Sequence, residues 1–317
     1  MITASAPGKV ILCGEHAVVY GQPAIALPLP DVRAQAMIEA ALPGSGITLN
    51  LADLGESVML VEAQDHPLAT LIRLTVEELG VALPLDLSIT LRSSIPIASG
   101  MGSGAALGAA LVKALSAQLG RSLDPAAVSR LVYESERFYH GTPSGIDNTV
   151  VSYEQAIWFR RGQEQDGVRT PPTIEPLHIG APFALVIGDT GVHAPTHITV
   201  GGVRERWQHD RRRFDALFAE IGQVVLSIRE QLAAGDLIAL GAALNRNQEL
   251  LCEIGVSSPE LERLITAAVA AGALGAKLSG GGGGGIMLAL VAANRQAIVA
   301  QALLDAGATR VTQTAVV

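Results

Sequence analysis

The stretch Ile95–Leu115, IPIASGMGSGAALGAALVKAL, decides the fold, because a turn almost without side chains joins an extended run to a helix. Upstream, Leu85, Leu87, Ile89 and Leu91 alternate with Asp86, Ser88, Thr90 and Arg92, the period-2 pattern of a half-buried strand. Downstream, Ala105–Leu119 is rich in Ala and Leu, which favour helix and permit close packing. Between them stand Gly100, Gly102 and Gly104, with Ser103 the only hydroxyl among residues 100–104. Such a turn leaves the backbone free, and the helix after it offers unpaired N–H groups and a positive dipole end. An anion site is expected, with phosphate as the anion. The spacing of Gly100, Gly102 and Ala105 also satisfies the dinucleotide fingerprint, and a plain tight turn is a third reading; this stretch alone does not separate them.

With 317 residues and 49% apolar side chains the chain has material for two domains and an ample core. Its apolar runs break well short of the ~20 residues a membrane span requires. The opening Met1-Ile2-Thr3-Ala4 lacks a basic head and apolar stretch, so no leader and a cytoplasmic location are expected. Cys13 and Cys252 have no metal-spaced partners and are read as buried thiols. A net charge of −8 argues against broad nucleic-acid binding, and the cluster Arg204, Arg206 and Arg211–Arg213, interleaved with Glu205, Asp210 and Asp215, reads as a solvated helix face. There are three lysines, Lys9, Lys113 and Lys277; two stand beside glycine-containing motifs.

In chain order, APGKVILCGEHAVVYG at residues 6–21 runs through an apolar strand, Val10–Cys13, breaks at Gly14, and presents Glu15 and His16. Taken singly, Lys9 reads as a surface lysine and His16 as a core histidine. Residues 31–65 read as short antiparallel strands, such as Gln35–Ala40 and Ser57–Val61, and His66–Leu79 as a helix closed by Gly80. Asp124-Pro125 opens a helix whose apolar face carries Val128, Leu131, Val132, Ser135, Phe138 and Tyr139, with Glu136 on its border. The loop Thr142–Gly145 then presents Asp147, which by itself could be an ordinary turn residue. A strand at Phe183–Ile187 leads to a polar loop through Thr196. Helices follow at Val203–Ala233, Asp236–Ile254 and Pro259–Ala271, the last capped by Ser258. Six glycines, Gly280–Gly285, separate Lys277-Leu278-Ser279 from the strand Ile286–Val291. They read as a packed backbone loop rather than a linker, because apolar strands flank them.

PGKVILCGEHAVVYG, IPIASGMGSGAALG and KLSGGGGGGIMLAL together resemble, in order and spacing, the three motifs of the GHMP small-molecule kinases. GEHAVVYG and SGIDNTV are most similar to the members that phosphorylate mevalonate. The resemblance implies an α+β fold of two domains: residues 1–181, like ribosomal protein S5 domain 2, and residues 182–317, ferredoxin-like with the glycine-rich third motif. It implies ATP as phosphoryl donor, Mg²⁺, a small-molecule acceptor, and a homodimer as is common in the family. Neither nucleic acid nor a membrane is an expected partner.

Carried over by position, the resemblance assigns Pro96, Ala98, Ser99, Gly100, Met101, Gly102, Ser103, Gly104 and Ala105 to ATP, and Glu136 with Ser103 to the metal. It makes Asp147 and Lys9 the catalytic pair, Asp147 accepting the hydroxyl proton and Lys9 stabilising the developing alkoxide. Glu15, His16, Ser144, Gly145, Asp147 and Thr196 fall on the substrate side. Two departures stand out: Gly104 replaces the family's second serine, and His197 a common lysine. The activity implied is phosphorylation of the 5-hydroxyl of mevalonate; a GHMP kinase for a phosphorylated mevalonate or a sugar is the alternative. A silent nucleotide-binding protein would be expected to lack Lys9 or Asp147. An oxidoreductase leaves the first and third motifs unexplained.

Overall fold

The computed structural model describes residues 1–63, 65–96, 99–140, 143–162, 164–165, 168–194 and 196–317. The chain opens with strands β1 (Ile2–Cys13) and β2 (Pro23–Ala40), separated by a 3-10 turn at Ala17–Tyr20, then β3 (Ile47–Leu51) and β4 (Glu56–Met59). Helix α1 (Pro67–Glu78), strand β5 (Leu87–Ser93) and helices α2 (Ser103–Gln118), α3 (Pro125–His140) and α4 (Ile146–Tyr153) follow. Next come β6 (Ile157–Arg160), β7 (Glu164–Gln165), β8 (Val168–Arg169), β9 (Thr173–Pro176) and β10 (Phe183–Asp189). Four helices, α5 (Thr196–His209), α6 (Arg211–Ala234), α7 (Leu237–Glu253) and α8 (Pro259–Ala270), precede β11 (Gly275–Ser279), β12 (Ile286–Val291), α9 (Gln296–Asp305) and β13 (Arg310–Val316). The contacts divide the chain into two compact units.

The first unit comprises Met1–Lys9, Pro28–Ile97 and Gly102–Glu154. Its sheet buries Ile47, Leu49, Ile89, Leu91, Ala36 and Ile38, the apolar positions of the period-2 pattern, on the side covered by helices. Within residues 31–65 the paired strands β3 and β4 are antiparallel, as expected, while β3 runs parallel to β5, which lies beyond that region. Parallel neighbours need a crossover, and α1 lies in the intervening chain. Strand β2 is far longer than Gln35–Ala40, because Pro23–Ala26 pairs with β6 while Ala34–Ala40 pairs with β5. The alanines of α2 other than the exposed Ala117 are buried, and a Cβ added at Gly108 would stand 3.2 Å from Leu71 and 3.4 Å from Val132, so the small residues let α1 and α3 approach.

The second unit comprises Val10–Leu27, Ala98–Met101 and Gln155–Val317. Its antiparallel sheet has the order β11-β12-β10-β13. Every residue of β10, β11 and β12 is buried. The Oδ1 of Asn245 and the Oε1 of Gln248, three residues apart on α7, accept from the backbone N–H groups of Ala276 and Leu278 in β11. The helix expected over Val203–Ala233 is divided at Asp210, whose side chain accepts from the N–H of Arg213 and so starts α6. Arg211–Arg213 are exposed, as a solvated face requires. Cys13 is buried as expected but Cys252 is exposed, its thiol pushed up to about 11 by partial burial and by Glu262. Among the described residues no helix is long and apolar enough to cross a membrane.

Candidate active site

Within the first unit the phosphate turn, Lys9, Asp147 and Glu136 converge. Gly102 adopts φ +74° and precedes α2, where the first-turn N–H groups of Ser103, Gly104 and Ala105 lack intrahelical acceptors by helix geometry. A Cβ at Gly102 would lie 2.8 Å from Lys9 Cγ, so only glycine leaves room for the lysine stem. The Nζ of Lys9, almost fully buried, reaches 3.0 Å from Oδ2 of Asp147, which is about one-third exposed (32%). Asp147 lies in the first turn of α4, not in the expected loop, because Gly145 at φ +91° already begins the helix. Asn148 anchors that helix by donating to the Ser129 carbonyl at 3.0 Å and the Ser129 hydroxyl at 2.9 Å on α3. The hydroxyl of Ser144 accepts from the N–H of Ile146.

Glu136 is drawn inside, beyond the stripe border that the helical pattern gave it, and is 5% exposed. Its pKa is raised to about 7, chiefly by burial and then by the charge of Asp147, with Lys9 opposing both. A Cβ at Gly104 would stand 3.2 Å from its Oε1. A side chain at position 104 would crowd that oxygen beside the helix start.

Within the second unit the third motif grips the end of β1 and the segment after it. Lys277 and Glu15, both buried, form an ion pair. The hydroxyl of Ser279 donates to the Ile11 carbonyl at 2.9 Å and accepts from the Ile11 N–H at 3.0 Å. The Nε2 of His16 donates to the Gly281 carbonyl at 2.9 Å, which leaves Nδ1 as an acceptor in the neutral ring. Burial drives the pKa of His16 down to about 4, against the Gly281 bond, so the ring is neutral at pH 7. The glycine run is held by bonds from Gly283 to the Val256 carbonyl at 2.7 Å and from Gly285 to the Val192 carbonyl at 2.8 Å. At Gly284, φ is +147° and a Cβ would meet the Val192 carbonyl at 2.4 Å, so the backbone there admits no side chain.

Ser99, Gly100 and Met101 belong to this second unit, and Pro96 to the first. The Ser99 hydroxyl accepts from the Met101 N–H at 3.4 Å. Ala98 lies outside the described residues. Thr196 opens α5 and its side chain is outside the described set, though Ala194 and Thr199 each lie 3.1 Å from the Cβ position at Gly283. Sequence reasoning missed the roles of Lys277, Ser279 and the Gly281 carbonyl; the available signal was a lone lysine in an apolar strand just before six glycines.

The GHMP kinases N terminal domain matches residues 67–155, and the GHMP kinases C terminal domain matches residues 228–311. The fold and site thus define a small-molecule kinase of the ATP-using GHMP class. Mevalonate kinase of Pyrococcus horikoshii is 33% identical over 96% of this chain and 93% of its own length; that of Pyrococcus furiosus is 32% identical over 97% and 94%. The crystal structure of L. major mevalonate kinase in complex with R-mevalonate superposes with a TM-score of 0.82 at 30% identity, covering 100% of this chain and 96% of that one. Methanococcus jannaschii mevalonate kinase gives a TM-score of 0.80 at 26% identity, covering 98% and 96%. The chain belongs to the mevalonate kinase family.

Proposed function

We propose that this chain transfers the γ-phosphoryl group of ATP to the 5-hydroxyl of mevalonate, giving 5-phosphomevalonate for isoprenoid synthesis. The observation that carries the chemistry is the Lys9–Asp147 pair, 3.0 Å apart beside the start of α2. Phosphoryl transfer needs positioning and charge neutralisation more than covalent chemistry, and this arrangement supplies both. Asp147 takes the hydroxyl proton as the oxygen bonds to the γ-phosphorus, the β–γ bridge breaks and ADP leaves. Lys9 stabilises the charge on the attacking oxygen. The first-turn N–H groups of Ser103, Gly104 and Ala105 hold phosphate oxygens. The acceptor Nδ1 of His16 takes a hydrogen bond from a hydroxyl of mevalonate, with Ser144, Gly145 and Thr196 as further substrate-side residues.

The described residues contain no group of three or more His, Cys, Asp or Glu able to hold a metal ion. Magnesium does not require one, since it commonly takes one or two carboxylates and completes its sphere with phosphate oxygens and water. The buried carboxylate of Glu136, beside Gly104 at the start of α2, fits such a donor set. Glu136 and Ser103 would hold Mg²⁺, which supplies neutralisation of the phosphate charge. Residues 1–181 and 182–317 are the domains in this reading, and a cytoplasmic homodimer its setting; sedimentation of the purified protein tests the assembly.

A coupled assay for ADP release with mevalonate, phosphomevalonate and galactose as acceptors tests the function. Turnover with mevalonate alone is expected. Turnover with either other acceptor, and none with mevalonate, would replace this reading.

A further inference from the structure

Lys277 is fully buried at the centre of β11 and takes no part in phosphoryl transfer as described above. Its ammonium donates to Glu15 and to the Leu278 carbonyl. A buried ammonium is expensive to desolvate even when paired, and apolar residues of similar volume commonly fill such sites with equal or greater stability. Packing alone therefore does not account for the pair.

Its placement does. Lys277 and Ser279 are two apart on β11 and point to the same face, and the Gly281 carbonyl continues the series beyond the strand. These three positions bind Glu15, Ile11 and His16 in turn. His16 itself has φ +59°, a conformation that a non-glycine residue keeps only when its surroundings over-determine it. The Glu15–Lys277 bond fixes the residue immediately before it.

We infer that Lys277 is a positioning residue which, through Glu15, holds His16 in the conformation that presents its free ring nitrogen to mevalonate. Glu15 then serves the substrate side indirectly, its carboxylate directed at Lys277 rather than at the ligand. This rests on the reading of His16 as a mevalonate contact.

The experiment compares Lys277→Met, Glu15→Gln, the double variant and Ser279→Ala with the parent enzyme, measuring the KM for mevalonate, the KM for ATP, kcat and the melting temperature. Each charged single variant strands one buried partner and should be less stable. The double variant buries no charge, so its melting temperature should return to within ~5 °C of the parent. Its KM for mevalonate should nevertheless stay ~10-fold raised, with the KM for ATP within ~2-fold, because the ion pair that fixes position 15 is then gone. Ser279→Ala removes the two neighbouring bonds to Ile11 without burying a charge and should raise the mevalonate KM ~3-fold. A double variant with the parent's mevalonate KM, or with both KM values raised alike, overturns the inference; should the double variant not fold, an unchanged mevalonate KM in Ser279→Ala does so. Failure of the parent itself to phosphorylate mevalonate would instead sink the functional reading.

Discussion

The aliphatic stem of Lys9 crosses Gly102 so closely that a Cβ at position 102 would stand 2.8 Å from Lys9 Cγ and 3.0 Å from Lys9 Cε. The turn that begins α2 and the lysine that meets Asp147 are thus fitted to one another. Gly102→Ala adds left-handed strain of about 1 kcal/mol at φ +74° and also pushes Lys9 aside. We expect kcat to fall ~10²-fold or more while the protein still folds, since misplacement of a catalytic group by about 1 Å has that effect. Steady-state rates and a thermal melt check this, and a variant with near-parent kcat would mean the lysine yields freely.

Asp147→Asn should retain ATP binding and lose at least ~10²-fold in kcat, the contribution of a positioned general base. Lys9→Met should lose a comparable factor, because its ammonium is the partner at 3.0 Å. ATP titration by calorimetry alongside turnover separates binding from chemistry. Near-parent turnover in the aspartate variant would remove Asp147 from the mechanism.

Glu136 makes a pH prediction of definite sign. Its folded pKa rises from 4.5 to about 7, chiefly through burial, so the folded chain binds more protons than the unfolded chain between those values. Stability from this group is complete below about pH 4.5 and declines as pH rises towards 7, by up to about 3 kcal/mol. Glu136→Gln should therefore melt higher than the metal-free parent near pH 8 and close to it near pH 4.5. An equal difference at both pH values would contradict a strained carboxylate.

His16 has the opposite sign. Its folded pKa is lowered from 6.5 to about 4, so the stability it brings as a neutral ring is present above pH 6.5 and lost as pH falls through 4. His16→Gln should flatten the melting curve's acid limb over that interval. The same variant should raise the KM for mevalonate ~10-fold and leave that for ATP nearly unchanged. A rise confined to ATP would reverse the assignment of sides.

Legibility in the sequence followed the range of the interactions. The strand ending near Ser93, the glycine turn and α2 were readable because alternation, glycine and alanine act over a few residues. Lys9 and Asp147 were recognised from their motifs, but that Asp147 begins a helix depends on Gly145 turning left-handed and on Asn148 reaching Ser129. The break at Asp210 was written in an N-cap residue that a continuous helical pattern obscured. The pairing of Glu15 with Lys277, 262 positions apart, leaves no local trace, and neither does the length of β2, which is set by two different partners.

The amide side chains of Asn245 and Gln248 have a consequence for how the molecule behaves among its copies. Strand β11 ends its sheet, and the terminal strand of a sheet ordinarily exposes a row of N–H donors on which another chain can add. Here the donors of Ala276 and Leu278 are already engaged by α7. That border of the sheet offers no template for intermolecular strand addition, so the helix that supports the third motif also guards the chain against edge-to-edge aggregation.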